Sequence, residues 1–495
     1  MGDFGHRRRL LVLAVCCTSL LIAGLDVTAV NVALPAVGRD LHAPVSGLQW
    51  TIDGYTLAVA GFLMLAGSTA DRIGRRRVFR TGLALFTGGS LACSLAPSLP
   101  WLVGFRVVQG LGASMLNPVA LSILTTTFTD PRERTRAIGV WSGTIGLSLA
   151  LGPVVGGLLV SAAGWRSVFW INLPVGVAAI ALTGLLVPES KAPTARRPDP
   201  VGQVLVVTAL GSITGAIIEG SRRGYANPLI IGLLGLGVVA VAALLGHESR
   251  RDQPLIDLTF FRSIPFAGAT VAAVAAFVAL SGFLFLNTLY LQDVRGFSAL
   301  HAGLLTVPMA AATAIAAPIS GRLTARYGAR PPLVAAGLLV AGSAVLFTSL
   351  TPTTALPVLL VAYLLFGTGF GLVNTPITNT AVTGMPRAQA GVSAAIASTG
   401  RQIGNSLGVA VLGSLVTAHL TGGGFTVASQ VGWWVLAGCG VLVAALGVLT
   451  TTRRATASAT RIAARFPSVP AESVRAVSHR WSGLTMLEAA RKVNR

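Results

Sequence analysis

Sixteen of the 495 residues are acidic, and three of them stand where water is scarce. Asp26 and Asp53 lie inside long apolar runs, and Glu219 is near the end of another. Ionisable groups at membrane depth are costly and face a cavity or a partner. The chemistry open to such a carboxyl is a proton equilibrium. A nearby cation favours the ionised acid and dehydration favours the protonated one, so a cavity that opens and closes changes proton occupancy. Arg106, five residues inside Trp101, is the cation placed to join them. Histidine does not compete for this role, because His6, His42, His247, His301, His419 and His479 fall in loops, span ends or termini. Lys191 precedes Ala192 and Lys492 precedes Val493, so the chain has no G-x-x-x-x-G-K-[ST] phosphate loop. Cys16, Cys17, Cys93 and Cys439 all lie in apolar runs and read as small core residues, not as a disulfide framework or a metal site.

The elements that must position these groups are membrane helices. The chain is 53% hydrophobic and 11% charged, with a mean hydropathy of +0.74. A spanning helix needs roughly 20 apolar residues. Fourteen such spans are expected, near 10–34, 47–70, 78–97, 101–125, 137–161, 167–187, 201–221, 228–246, 266–291, 302–321, 332–350, 355–379, 396–418 and 432–450. The expected fold class is therefore an all-α polytopic membrane protein. The N-terminal "HRRRLLVLAVCCTSLLIAG" resembles a signal peptide, but its apolar run continues through Asp26 towards Pro35, which favours an uncleaved first helix. Of the 37 Lys and Arg, only Arg39, Arg166, Arg222, Arg223 and Arg295 would face outwards if both termini are cytoplasmic, and Arg106 and Arg401 lie within spans. The rest collect on the inner side, as the positive-inside rule requires. That accounts for the net charge of +21 without a nucleic-acid partner. On a helical rise of 1.5 Å per residue, Asp26 lies ~26 Å beyond Arg9 and Asp53 ~27 Å before Asp71, so Asp26, Asp53 and Arg106 can share a depth.

An internal repeat divides the chain. Gly67, Arg72, Gly74 and Arg76 of "GSTADRIGRRR" match Gly321, Arg326, Gly328 and Arg330 at a constant offset, and "GLGASMLNP" from Gly110 echoes "GTGFGLVNTP" from Gly367. The expected organisation is a six-helix half over 1–190, two extra helices over 191–262, a second six-helix half over 263–452 and a basic tail over 453–495. Two repeated halves suggest a transporter with a central site between them.

Four motifs occur in order along the chain: "LDVTAVNVALP" (25–35), "GSTADRIGRRR" (67–77), "LVGFRVVQGLGAS" (102–114) and "SLALGPVVGG" (148–157). With them the chain resembles the fourteen-span drug:proton antiporter branch of the major facilitator superfamily, over nearly its whole length. Ser148 stands where the antiporter motif usually begins with glycine, which keeps a small residue there. The resemblance implies the major facilitator fold and a proton-coupling role for Asp26 and Arg106, with Gln109 one turn from Arg106. Asp53 joins them as a candidate on its depth. The alternative is a structural Asp–Arg pair between two helices. Gly67, Asp71, Arg72, Gly74, Arg75 and Arg76 would latch the cytoplasmic side, although the arginines alone also fix topology. Gly152, Pro153, Gly156 and Gly157 combine a kink with a close-packing face, either as a seal and hinge between halves or as ordinary transmembrane glycine packing.

Candidates for a substrate cavity are Asn31, Gln109, Asn287, Asn374, Arg401, Gln402 and Asn405. Arg401 and Asn405 share one helical face, which is costly in lipid and should line a cavity or pack on a helix; the alternative is an Arg401 that snorkels to the inner interface. The function expected is export of drugs, antibiotics or similar amphipathic compounds in exchange for protons, across the cytoplasmic membrane of a bacterium. A proton-coupled importer or facilitator of a small solute and a non-transporting receptor are the alternatives. The chain is not expected to be an enzyme. The expected partners are the lipid bilayer, amphipathic small molecules and protons. The proton gradient is the energy source, with no cofactor, metal or nucleic acid, and a monomer is a plausible unit.

Overall fold

The structure, a computed structural model, describes residues 5–192, 199–251, 257–383, 390–419 and 424–463. Among the described residues it is helical, with no strand. The first half comprises α1 (His6–Asp40), α2 (Val45–Ile73), α3 (Arg75–Ser94), α4 (Leu99–Thr127), α5 (Pro131–Ala163), α6 (Ser167–Trp170) and α7 (Asn172–Leu186). A hairpin of α8 (Pro200–Arg223) and α9 (Pro228–Glu248) follows. The second half comprises α10 (Ile264–Leu289), α11 (Ala299–Leu305), α12 (Val307–Tyr327), α13 (Arg330–Phe347), α14 (Leu356–Val382), α15 (Ala390–His419) and α16 (Gly424–Leu449), and a short α17 (Arg453–Ala463) closes the described chain. Of the expected basic tail, the part beyond Ala463 lies outside the described residues.

Local sequence explains where these helices begin and end. Proline occupies the first turn of α4, α5, α8, α9, α10, α12, α13 and α14, where a missing N–H costs nothing. The Asp130 carboxylate caps α5 by accepting from the Arg132 and Glu133 amides, each at 2.9 Å. The echo between the halves is also conformational. α2 ends on Gly74 at φ 129° and α12 on Gly328 at φ 80°, both in the region that favours glycine.

Among the described residues, twelve helical segments are long and apolar enough to cross a membrane. α3 and α15, which fall within the fourteen expected spans, are not among them. The physical reason is local: α3 opens on Arg75, Arg76 and Arg77 with Arg80 a turn later, and α15 carries Arg401, Gln402 and Asn405 at its middle. Two expected spans are also broken. One divides at Ile171 into α6 and α7, where Pro174 lacks the N–H that would bond four residues back; the other divides at Thr306 into α11 and α12, where Pro308 does the same.

The core of the second half is an aromatic cluster. Phe283 stacks on Phe366 with centroids 4.1 Å apart, and Phe347 stacks on Trp433 at 4.5 Å. Such pairs add ~0.5–1.5 kcal/mol beyond the area they bury. The two halves meet along α2 against α15 and α5 against α11. At the ends read as outer, the Gln49 amide donates to the Val409 and Ala410 carbonyls at 3.0 and 2.7 Å, and Gln292 donates to the Val32 carbonyl at 2.8 Å. The Leu300 amide donates to Ser161 Oγ at 3.3 Å, and Arg39 faces Asp293 at 3.5 Å. Towards the other end of α5, a side chain placed at Gly139, Gly143 or Gly146 would meet nothing within 4 Å. Helix α8 crosses the seam: Trp50 Nε1 donates to Glu219 at 3.2 Å, Gln203 donates to the Gly61 carbonyl, and Ser414 Oγ donates to the Ile217 carbonyl at 2.9 Å.

Candidate functional site

Four helices converge on Asp26. α1 supplies the acid, α4 supplies Arg106 and Gln109, α3 supplies Ser90, and the start of α7 supplies Asn172. Arg106 Nη1 donates to Asp26 Oδ2 at 2.5 Å and to Gln109 Oε1 at 2.7 Å, while Arg106 Nε donates to the Thr51 carbonyl at 3.1 Å. Asp26 Oδ1 accepts from Gln109 Nε2 at 2.8 Å and from Asn172 Nδ2 at 3.0 Å. Both amides also donate to Ser90 Oγ, at 2.7 and 3.2 Å. The Arg106 guanidinium lies 4.3 Å from the centre of the Tyr55 ring, an additional cation–π contact. The side chains of Arg106 and Asp26 are 1% and 0% exposed.

This geometry has a chemical consequence. Asp26 Oδ1 accepts two N–H bonds and Oδ2 one, so the carboxylate form is satisfied by donors from α4 and α7. A charge pair sealed from water costs several kcal/mol per ion in desolvation, which the mutual attraction offsets only with such additional hydrogen bonds.

The structure joins Asp26, Arg106 and Gln109 but leaves Asp53 apart. Asp53 is fully buried between α2 and α15, with Oδ1 accepting from Thr56 Oγ1 at 3.2 Å. Its Oδ2 makes no hydrogen bond, and the buried Ser406 hydroxyl of α15 stands against the same carboxyl without hydrogen-bonding geometry. Glu219 is engaged with Arg222 and Arg223 at 2.7 and 3.0 Å. Gln109 is buried within the Asp26 network and is not among the residues that line the small cavity between the halves.

Asp71 Oδ1 accepts from Arg75 at 2.9 Å, and its backbone carbonyl accepts from the Ala192 amide at 3.0 Å. Glu189 accepts from the Arg76 amide at 3.1 Å and lies 3.7 Å from Arg77. These partners belong to the first half or, at Ala192, to the chain just beyond it, so the loop is tied to the chain leaving α7. Arg72 is exposed beside it, and Gly67 lies near Pro118 of α4. In α5, a Cβ on Gly156 would come 2.6 Å from Ala29 Cα of α1, and one on Gly157 would come 2.5 Å from the Ala299 carbonyl of α11. Gly152 backs onto Thr28, and Pro153 presents its carbonyl to Gly303. The motif thus packs on its own half along one edge and on the other half along the next.

A small cavity between the halves is lined by Thr28, Asn31, Asn287, Thr288, Leu291 and Thr306, among others. Asn287 Oδ1 accepts from Tyr363 at 2.7 Å, while Asn31 Oδ1 is buried without a partner. Asn374, Arg401, Gln402 and Asn405 lie elsewhere, half-buried on α14 and α15. Asn172, Ser90, Gln49 and Ser406 were not expected as functional residues. Asn172 had a signal, a lone amide in "FWINLPVG" next to a proline that breaks the helix.

Comparison with known proteins agrees with this architecture. The family model described as "Major Facilitator Superfamily" matches residues 16–409. "Multidrug resistance protein Stp" of Mycobacterium tuberculosis is 40% identical over 417 residues, 84% of this chain and 77% of that protein. "Tetracenomycin C resistance and export protein" of Streptomyces glaucescens is 37% identical over 410 residues, 83% of this chain and 76% of that one. Among solved structures, an inward-facing, occupied bacterial homologue of the human lysosomal transporter Spinster matches with a TM-score of 0.62 at 17% identity, covering 93% of this chain and 98% of that chain. That last likeness is one of fold.

Proposed function

The chain belongs to the Major Facilitator Superfamily and is a multi-pass membrane transporter rather than an enzyme, and on that premise we propose that it exports drugs, antibiotics or similar amphipathic compounds in exchange for protons. The observation that carries this reading is the sealed Asp26–Arg106 pair with its two amide donors, an ionisable carboxyl that four helices hold away from water. The names of the relatives, concerned with multidrug resistance and antibiotic export, support the substrate class. In the same reading α3 and α15 are spans as well, giving fourteen, and both termini face the cytoplasm of a bacterium. The halves are hydrogen-bonded at the outer side, so the conformation is outer-closed, and transport proceeds by rocking them about the central site. Asp26 takes up its proton when the halves open outwards and gives it up as the sealed network of this state re-forms after substrate release. One charge crossing the membrane supplies ~2.3 kcal/mol per 100 mV, enough to drive accumulation with one or two protons.

The test uses inside-out vesicles with an imposed proton gradient and a panel of dyes and antibiotics. Wild-type protein is expected to accumulate at least one compound while collapsing the gradient. Asp26→Asn protein should still bind that compound and lose gradient-driven accumulation; unchanged accumulation would refute the role assigned to Asp26.

A further inference from the structure

The charges held at membrane depth among the described residues are paired or sealed, with one exception. Arg106 is matched by Asp26, Glu219 by Arg222 and Arg223, and Asp53 is closed off between α2 and α15. Arg401 has no carboxylate partner. Its Nη2 donates to Thr378 Oγ1 of α14 at 2.5 Å, and its Nε is buried with no partner at all.

The faces of α15 show where this guanidinium points. Gly400, Gly404 and Gly408 turn towards α10, while Val409, Ala410 and Gly413 turn towards Gln49 of α2. Ser414 bonds α8 on the outer arc between these two faces. Arg401 and Asn405 occupy the opposite arc, which faces α14 and the interior of the bundle, where Thr378 and Asn374 are half-buried. Arg401 lies eight residues inward of Val409, ~12 Å below the outer seal. It is therefore on the side of the seal where the halves are not tied by the outer hydrogen bonds.

A guanidinium buried without a counter-charge carries a desolvation cost that an anion would remove. Its planar fork matches a carboxylate with two parallel hydrogen bonds, which an ammonium would not supply. We infer that Arg401 is a head-group site on the inner side of the outer seal, apart from the small cavity at Asn31 and Asn287, and selects amphipathic compounds bearing a carboxylate or another anionic oxygen, with Asn405 and Asn374 as flanking amides. The inference rests on the export reading and specifies its substrate class.

Three dansyl probes that differ only in head group test it: dansylglycine, its amide, and dansylethylenediamine. Wild-type protein in detergent, read by dansyl fluorescence, should bind the carboxylate ~10–100-fold more tightly than the amide, the range expected of a hydrogen bond to a charged group. Arg401→Gln should bring the ratio of carboxylate to amide affinity to near one, and Arg401→Lys should recover part of that ratio, because charge is kept and the fork is lost. Thermal unfolding in detergent checks the folding of each variant. Wild-type protein that prefers the amide or the ammonium probe overturns the inference without any variant, as does an Arg401→Gln protein that keeps the carboxylate preference. The vesicle assay separates the two readings. Gradient-driven accumulation of the amide or ammonium probe with rejection of the carboxylate sinks the inference and leaves export standing. Failure of all three probes and of the dye and antibiotic panel to accumulate sinks export, and the inference with it.

Discussion

Replacing Gln49 with glutamate should open the outer side in a pH-dependent way. The Gln49 side chain is 0% exposed, and its amide nitrogen points at two carbonyls of α15. Glutamate has the same shape, but as a carboxylate it offers only acceptors to those carbonyls. It can stay only as the neutral acid, which retains one donor. Holding a glutamic acid neutral costs about 1.36 kcal/mol for each pH unit above ~4.3, or ~3.7 kcal/mol at pH 7 and ~1 kcal/mol at pH 5. The outer-closed state should therefore lose a factor of about 500 against the open one at pH 7, and only about fivefold at pH 5. The assay is double electron–electron resonance between spin labels at Ala163 and Thr353, exposed positions on the outer side of the two halves, in protein cleared of Cys16, Cys17, Cys93 and Cys439. A longer-distance population should grow in Gln49→Glu at pH 7 and shrink at pH 5. Identical distributions for wild type and variant at pH 7, or a change that grows towards pH 5, would refute the reasoning.

The Asp26–Arg106 pair should behave as a unit: Asp26→Asn and Arg106→Gln each cost ~3–5 kcal/mol by stranding a buried partner, and the double variant should cost clearly less than their sum. Thermal unfolding in detergent reads this cycle, and additivity within ~0.5 kcal/mol would contradict the geometry. Gly156→Val must push α1 from α5 and should cost ~1–3 kcal/mol in the same assay, whereas Gly104→Ala, where a Cβ meets nothing within 4 Å, should be silent. Equal effects would argue against a close α1–α5 seam. Burial alone would raise the Asp199 carboxyl, but the Gly202 amide, His247 and Arg251 outweigh it and hold the group below the usual carboxylate range. Its contribution is thus present above ~4, the unfolded value, and lost as pH falls through the depressed folded one. Asp199→Asn should speed tryptic cleavage at Arg250 and Arg251 at neutral pH, and unchanged cleavage would show that the cap does not hold the α8–α9 hairpin.

What the sequence disclosed was mostly what periodicity and charge can carry. Asp26 and Arg106 could be set at one depth by counting residues from Arg9 and Trp101, and they meet. Asp53, counted to the same depth, does not meet them, because depth fixes height along a helix and not the face, and its face turns to α15. The loop echo was legible since glycine at positive φ is a requirement of backbone, visible at Gly74 and Gly328 alike. Ser90 was not legible, since single polar residues in apolar runs are common, and Asn172, although marked by the proline two residues on, could not be joined to Asp26, because their convergence depends on how α3 and α7 rotate against α4. Gln49 was hidden for a similar reason, since its partners are backbone carbonyls and leave no mark on composition. Pro174 and Pro308 are the marks in the sequence that correspond to the breaks in two expected spans.

The attachments of α8 are unequal. Two side-chain bonds hold it to α2, through Trp50–Glu219 and Gln203–Gly61, and one holds it to α15, through Ser414–Ile217. If the halves part, the hairpin must slide on one of them, and its surface against that half becomes a bearing. Lubrication of that bearing by small residues, or its seizure by a bulky one, would then set turnover without touching cargo or proton.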